Sequence, residues 1–304
     1  MRAGTLQPIL LTGVNGQVGS ELLPLLQPLG EVIAPDRTQL DLTDSASIRT
    51  VLRDVKPQWI INAAAYTAVD KAESERDLAF AINAEAPRIL GEEAKRLDAT
   101  VLHFSTDYVF NGSGDAPWIE PAPTGPLSVY GESKLAGEQA LASTGAAHFT
   151  FRTSWVYGSH GKNFLLTILR LAREREQLRI VADQHGAPTW SRDLAHLAVH
   201  TMKICNSSGT KQPPQGVYHA CNAGETTWFG FAQEILRLAK ITEPQSHFAT
   251  LEPILTSEYP TPATRPVNSR LNCSRLSHGL GFTMPDWKDS LAQVMNEVFE
   301  SHIR

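Results

Sequence analysis

Gly13, Gly16 and Gly19 follow directly on the apolar run Pro8-Ile9-Leu10-Leu11-Thr12 and precede the helical pattern Glu21-Leu22-Leu23-Pro24-Leu25-Leu26. Strand, glycine turn and helix in this order restrict the fold more than any other feature of the chain. The first glycine permits the tight turn, the second lets backbone approach a pyrophosphate, and the third lets helix and strand pack closely. The start of the helix then offers free N–H groups to an anion, here the pyrophosphate of a dinucleotide. A second apolar run, Val32-Ile33-Ala34, ends just before Asp36, whose carboxylate suits the hydroxyls of an adenosine ribose. Arg37 follows at once and suits a 2′-phosphate, so the residues leave NADH and NADPH equally open.

Apolar runs and helical patterns alternate through the first half. Strands are expected near 59–62, 100–105 and 148–152, with helices near 45–54, 74–97 and 128–143. Such alternation predicts an α/β fold, a Rossmann-type doubly wound parallel sheet covered on both faces, with ligands outside the carboxyl ends of its strands. Gly13 to Gly19, Asp36, Ala63 to Ala65 and Thr106 all fall at those ends. Past residue 155 the pattern loosens. Helices are expected near 162–175, 192–205 and 227–239, a strand near 217–220, a loop over 206–216, and an extended arm over 257–266 stiffened by Pro260, Pro262 and Pro266. The chain thus divides into a dinucleotide-binding region, 1–155, to which later segments can return, and a smaller C-terminal α/β substrate-binding region, 156–304.

Tyr130 and Lys134 stand one helical turn apart, and Thr106 lies 24 residues before the tyrosine. An i, i+4 spacing puts both side chains on one helix face. A neighbouring ammonium favours the phenolate, so Lys134 is expected to lower the pKa of Tyr130 and let it pass a proton near neutral pH. Taken alone, Tyr-x-x-x-Lys is weak evidence and more often marks a solvated helix face. Beside a dinucleotide loop it points to hydride chemistry on a carbonyl.

A net charge of −5 and a pI near 6.1 give no basic footprint for nucleic acid. No apolar stretch reaches the roughly 18 residues of a membrane span, and residues 1–7 lack the regions of a signal peptide, so a cytoplasmic protein with no membrane partner is expected. Cys205, Cys221 and Cys273 form no Cys-x-x-Cys pair and are expected as small buried apolar residues. His196 and His200 share a helix face but lack the glutamate and third ligand of a zinc hydrolase.

The segments Gly13-x-x-Gly16-x-x-Gly19, NAAAYTAVDKAE (62–73), STDYVFNG (105–112), VYGESKLAGE (129–138), FRTSWVYG (151–158), DQHGAPT (183–189) and YPTPATRPVNSRL (259–271) together resemble the dTDP-4-dehydrorhamnose reductase family of extended short-chain dehydrogenase/reductases. The resemblance runs in order along nearly the whole chain. It implies NADPH- or NADH-dependent reduction of the 4-keto group of dTDP-4-dehydro-L-rhamnose to dTDP-L-rhamnose, a precursor of surface polysaccharides, with the dTDP-sugar bound mainly by 156–304. Tyr130 would donate the proton, Lys134 would assist it and hold the nicotinamide ribose, and Thr106 would bond the same oxygen. Gly16, Gln17 and Val18 would meet the pyrophosphate, Asp36 the ribose, Asp41 and Leu42 the adenine surroundings, and Ala65, Tyr66 and Thr67 the cofactor beside strand three. Asp107 and Trp155 would contact the sugar nucleotide, with core packing the alternative for Trp155.

Arg265 is suited to bidentate recognition of a diphosphate, the alternative being an ion pair that ties the arm to the body of the protein. Some members of the family form homodimers through magnesium held by glutamates. Here Arg192 appears beside Glu21 and Glu297, so no metal site is expected and a homodimer stays possible. A nucleotide-sugar epimerase or dehydratase shares the glycine loop and the Tyr/Lys pair. A non-catalytic dinucleotide-binding subunit is the third reading, opposed by the intact Thr106, Tyr130 and Lys134.

Overall fold

A computed structural model describes residues 8–207 and 212–301. Its centre is a six-stranded sheet built from β1 (Pro8–Thr12), β2 (Glu31–Ile33), β3 (Trp59–Asn62), β4 (Thr100–Thr106), β5 (Ala147–Thr153) and β10 (Gly216–His219). The spatial order is β10-β5-β4-β3-β1-β2, and every pairing is parallel. This is the doubly wound Rossmann-type sheet. Successive side chains of a strand face opposite sides, and the apolar residues divide accordingly. Ile9, Leu11 and Ile61 join Leu22 and Leu26 of α1 (Gln17–Leu26) and Leu194, Leu197 and Ala198 of α8 (Ser191–Ser207) in one core. Leu10, Ile60 and Val101 join Ile48 and Leu52 of α2 (Ser45–Val55), Ile89 and Leu90 of α5 (Ala86–Leu97) and Leu141 of α6 (Val129–Ser143) in the other. Burial on both faces is why these strands read as continuous apolar runs rather than alternating ones.

The helix expected over 74–97 is broken. The chain instead forms α3 (Val69–Ala72), α4 (Arg76–Phe80), a π-turn at Ala81–Glu85 and then α5. Pro87, at the start of α5, has no N–H to return to the Asn83 carbonyl, so the regular ladder fails there. The freed carbonyl points at α6, where a Cβ on Gly137 would lie 1.9 Å from it. Only glycine allows that approach. Asn83 also turns its side chain outward from the helix, accepting from Tyr66 N–H and donating to Ser133 Oγ.

The second half forms a further core. Leu165, Ile168 and Leu169 of α7 (Phe164–Glu174), Phe231, Ile235 and Leu236 of α9 (Trp228–Thr242), and Leu291, Val294 and Met295 of α11 (Trp287–Ser301) pack together. They cover the parallel pair β7 (Gln177–Val181) and β12 (Thr250–Ile254). Two short pairs, β6 (Val156–Tyr157) with β9 (Thr189–Trp190) and β8 (His185–Gly186) with β11 (Thr226–Thr227), line the boundary with the main sheet. The last short helix is α10 (Ser274–Leu280). Later segments return to the first half: β10 pairs with β5, and α8 lies against α1.

Asn206 and Ser207 belong to α8 rather than to the expected loop, and residues 208–211 of that loop lie outside the described residues. The arm begins with a single 3₁₀ turn at Thr256–Glu258 and then runs without helix, as its prolines require. It is pinned by backbone bonds from Asn268 N–H to Gly112 O, His185 N–H to Val267 O and Ser269 N–H to His185 O.

Candidate active site

The carboxyl ends of β1, β3, β4 and β5 meet at one edge of the sheet. At the end of β1, Gly13 adopts φ +71°, and a Cβ there would lie 2.6 Å from Ala64 N. A Cβ on Gly19 would lie 2.0 Å from Gly13 O, so the turn closes only with glycine at both positions. Gly16 caps α1 without a side-chain bond, which leaves the first-turn N–H groups, including those of Gln17 and Val18, without a side-chain cap. Gln17 Oε1 is buried with no hydrogen-bond partner. An uncapped helix start, a cradle that any Cβ would fill and an orphaned polar atom fit a dinucleotide pyrophosphate. The loop Gly158–Lys162 lies over this turn, with His160 Nε2 2.6 Å from Ser20 Oγ. Sequence reasoning missed His160, since nothing in its neighbourhood marks it.

Asp36 is exposed just past β2, and its Oδ1 accepts from Thr38 N–H at 2.8 Å, Thr38 Oγ1 at 2.6 Å and Gln39 N–H at 3.2 Å. The Thr38 hydroxyl, then its N–H, hold the carboxyl below its ordinary pKa. Asp36 therefore builds the turn that presents it. Arg37 beside it is exposed. Asp41 Oδ1 makes the same kind of turn with Thr43, while Leu42 packs on the core around Leu40 and Ile48. Ala65, Tyr66 and Thr67 follow β3. The Tyr66 hydroxyl bonds Glu75, which pushes its pKa up to about 12.

Thr106 ends β4, and its hydroxyl accepts from Tyr108 N–H at 3.2 Å and donates to Asp107 Oδ1 at 3.1 Å. Tyr130 lies in the first turn of α6, which Ser128 caps through Gly131 N–H. The expectation that Lys134 lowers the Tyr130 pKa is corrected by the structure. Burial dominates and pushes the phenol up to about 12, with the nearby Thr106 hydroxyl pulling the other way. Taking a phenolate out of water costs more than its neighbours return. Lys134 is itself buried, with Nζ donating to Phe104 O at 2.6 Å, and desolvation brings its pKa down to about 8 against the pull of Glu138. Asp107 is buried as well. Desolvation pushes its carboxyl up to about 7 against the pull of the Ser269 and Thr106 hydroxyls, and Oδ2 has no partner. A weak acid and a lysine whose pKa is brought down to about 8 thus stand on α6, which packs against the end of β4 that carries the Thr106 hydroxyl.

Trp155 has φ +48° and stacks on Trp228, with ring centroids 3.8 Å apart and planes 16° from parallel. A Cβ on Gly186 would strike the Trp155 ring at 2.8 Å, so this face is closed by glycine. Trp228 and Gly186 thus fix the orientation of a half-buried indole. Trp228, which holds it, was not legible as a site residue. Arg265 makes the ion pair weighed as the alternative: its Nη1 and Nη2 reach Asp70 Oδ1 and Oδ2 at 2.9 and 2.7 Å. Asp70 lies in α3 and also accepts from the Ala263 N–H of the arm.

Arg192 Nε lies 2.7 Å from Glu21 Oε2 and its Nη1 bonds Glu297, so a guanidinium occupies the space between the two glutamates. Among the described residues no three histidine, cysteine, aspartate or glutamate side chains come together as metal donors. Cys221 is buried, Cys205 and Cys273 only half-buried, and all three are free thiols. His196 is exposed and His200 bonds Leu280 O at 2.7 Å. No helix among the described residues is long and apolar enough to cross a membrane.

Comparison with known proteins agrees with this geometry. The family described as the RmlD substrate binding domain matches residues 7–300. A dTDP-4-dehydrorhamnose reductase of Burkholderia thailandensis is 45% identical over 95% of this chain and 98% of that protein. The enzyme of the same name from Escherichia coli K12 is 43% identical over 96% and 98%. The crystal structure of a Bacillus anthracis dTDP-4-dehydrorhamnose reductase in complex with NADP superposes with a TM-score of 0.88 at 35% identity, over 96% of this chain and all of that one. A UDP-glucose 4-epimerase of Thermotoga maritima, 17% identical with a TM-score of 0.79 over 98% and 100%, shares the fold alone. The chain belongs to the dTDP-4-dehydrorhamnose reductase family.

Proposed function

We propose that this protein is an NAD(P)H-dependent oxidoreductase that reduces the 4-keto group of dTDP-4-dehydro-L-rhamnose to dTDP-L-rhamnose. The observation that carries the reading is the set of buried Thr106 and Lys134 with half-buried Tyr130, beside an uncapped glycine turn, in a chain 45% identical to such a reductase over nearly its whole length.

The reduced nicotinamide, when bound, supplies the hydride. Tyr130 gives its proton to the C4 oxygen, and Thr106, whose hydroxyl bonds Asp107, steadies the same oxygen. A phenol held near 12 keeps its proton until charge develops on that oxygen, which confines transfer to the reacting state. Lys134 supports the phenolate that results and holds the nicotinamide ribose. Gly13, Gly16, Gln17, Val18 and Gly19 hold the pyrophosphate. Asp36, with Arg37 beside it, reads the adenosine ribose, Asp41 and Leu42 flank the adenine, and Ala65, Tyr66 and Thr67 line the path between. Asp107 and Trp155 contact the sugar nucleotide.

The cofactor unit is residues 1–155 together with the segments that return to its sheet, and the remainder of 156–304 holds the dTDP-sugar. The protein works in the cytoplasm on small molecules, without nucleic acid or membrane. Any homodimer it forms is independent of magnesium, because Arg192 already supplies the cation between Glu21 and Glu297. A sedimentation coefficient unchanged by a chelator is the expected result.

The deciding experiment follows reduced nicotinamide by its near-ultraviolet absorbance with dTDP-4-dehydro-L-rhamnose generated in situ. Stoichiometric loss that depends on the sugar is expected. An epimerase or dehydratase would regenerate its cofactor and show no net loss.

A further inference from the structure

Beneath the site, four polar side chains form an unbroken line through an apolar interior. Thr12 Oγ1 donates to Asn62 Oδ1 at 2.7 Å, Asn62 Nδ2 lies 3.0 Å from His103 Nδ1, and His103 Nε2 lies 3.4 Å from Lys134 Nζ. The sheet register sets them in a row, since Thr12 pairs with Asn62 and Asn62 with His103 on adjacent strands. Thr12 is 2% exposed and the other three 1% each. At that depth an imidazole stays neutral: desolvation lowers its pKa well below the ordinary value, and the charges of Lys134 and of His148 on β5 act in the same direction.

A neutral imidazole carries one N–H and one lone pair, and here both nitrogens are engaged. When Asn62 Nδ2 donates to Nδ1, the ring proton sits on Nε2 and faces the lysine as a donor, which suits an amine. When the Asn62 amide turns by half a rotation, its oxygen accepts from Nδ1–H and Nε2 presents a lone pair, which suits an ammonium. Thr12 serves both arrangements, because a hydroxyl donates or accepts. The other partner of Lys134, Phe104 O, can only accept. An unpaired polar group at this depth is costly, and of these two partners only His103 can satisfy the lysine in both of its charge states.

We propose that His103 is a positioning residue for Lys134, the end of a reversible hydrogen-bond line with Asn62 and Thr12 that accepts from the lysine as an ammonium and donates to it as an amine. The proposal rests on the reading of Lys134 as the partner of Tyr130 in proton transfer. It explains how that lysine can give up and regain a proton without leaving the interior. The other charged group acting on the lysine is Glu138, one turn further along α6 and bonded through both oxygens to Arg152 of β5. Glu138 favours the ammonium but offers the amine nothing.

The direct test is ¹⁵N-resolved NMR of the histidine rings in the protein without sugar or cofactor. The His103 ring is expected to pass from the Nδ1–H to the Nε2–H tautomer as pH rises through the titration of Lys134, near 8, and to stay in one tautomer throughout in K134M. One unchanging tautomer in the wild type would overturn the proposal whatever the substrate proves to be. Kinetics give the second arm. His103→Phe removes both nitrogens, so kcat should fall at least about tenfold. The alkaline limb of the kcat/KM profile should move to lower pH by at least roughly half a unit, because the charge-assisted bond to the ammonium is the stronger one lost. His103→Gln, whose amide can face Lys134 as donor or acceptor, should stay within about threefold of wild type. A wild-type profile in H103F, or H103Q as impaired as H103F with the limb unmoved, would also overturn it. A wild type that leaves the dTDP-sugar unreduced would count against the functional reading and leave the tautomer result standing.

Discussion

Arg265 and Asp70, 195 residues apart in the chain, form a two-pronged ion pair, and Asp70 also accepts from the Ala263 backbone N–H at 3.2 Å. One carboxylate therefore clasps both the side chain and the main chain of the proline-rich arm. The pair is partly exposed, so its coupling should be modest, about 1 kcal/mol. Arg265→Ala and Asp70→Ala are each expected to lower the melting temperature, with the double variant little worse than either. A KM for the sugar nucleotide raised about tenfold at unchanged melting temperature would instead return Arg265 to the diphosphate.

Replacing Tyr130 by Phe keeps the ring that meets Tyr108 edge-on, with centroids 5.5 Å apart, and removes only the acid. Turnover should fall on the order of 10²-fold or more while dinucleotide affinity, read by fluorescence titration, changes little. Near-normal kcat in Y130F would sink the assignment.

Asp36 must be altered without breaking its turn, because its Oδ1 holds Thr38 and Gln39. Asp36→Asn retains an oxygen there and removes the charge. Binding of NADH should weaken, while NADPH gains from lost repulsion beside Arg37, so the affinity ratio should shift toward NADPH by at least about fivefold. Equal changes for both cofactors would show that Asp36 does not read the ribose.

Asp107 predicts a pH dependence of stability. Its folded pKa, about 7, lies above that of an unfolded carboxyl, near 4. The folded state then holds the proton more tightly, so this group's contribution is complete below about pH 4, is lost as pH rises through 7, and is constant beyond. Asp107→Asn should raise the melting temperature relative to wild type at pH 8 more than at pH 5. The same difference at both values would refute a buried, proton-holding carboxyl.

The glycine turn, the Tyr130–Lys134 spacing and the strand ends were legible in the amino-acid order because each is a local constraint. A turn that excludes Cβ, a helical repeat and a doubly buried strand are written within a few residues. The parallel sheet followed from alternation alone, and even the break at Ala81–Glu85 has a local cause in Pro87. What lay beyond the sequence are the partners that distant segments bring to the site: Trp228 under Trp155, His160 over Ser20, Asp70 on Arg265, His103 facing Lys134. Such partners are chosen by where strands and arms cross, which no spacing encodes. The same holds for acidity. Sequence alone placed an ammonium near Tyr130 and so expected a stronger acid, but the tertiary structure buries the lysine and takes much of the phenol out of water. At that depth the cost of desolvating a charge exceeds the attraction between neighbours, so burial set the phenol high and the lysine low.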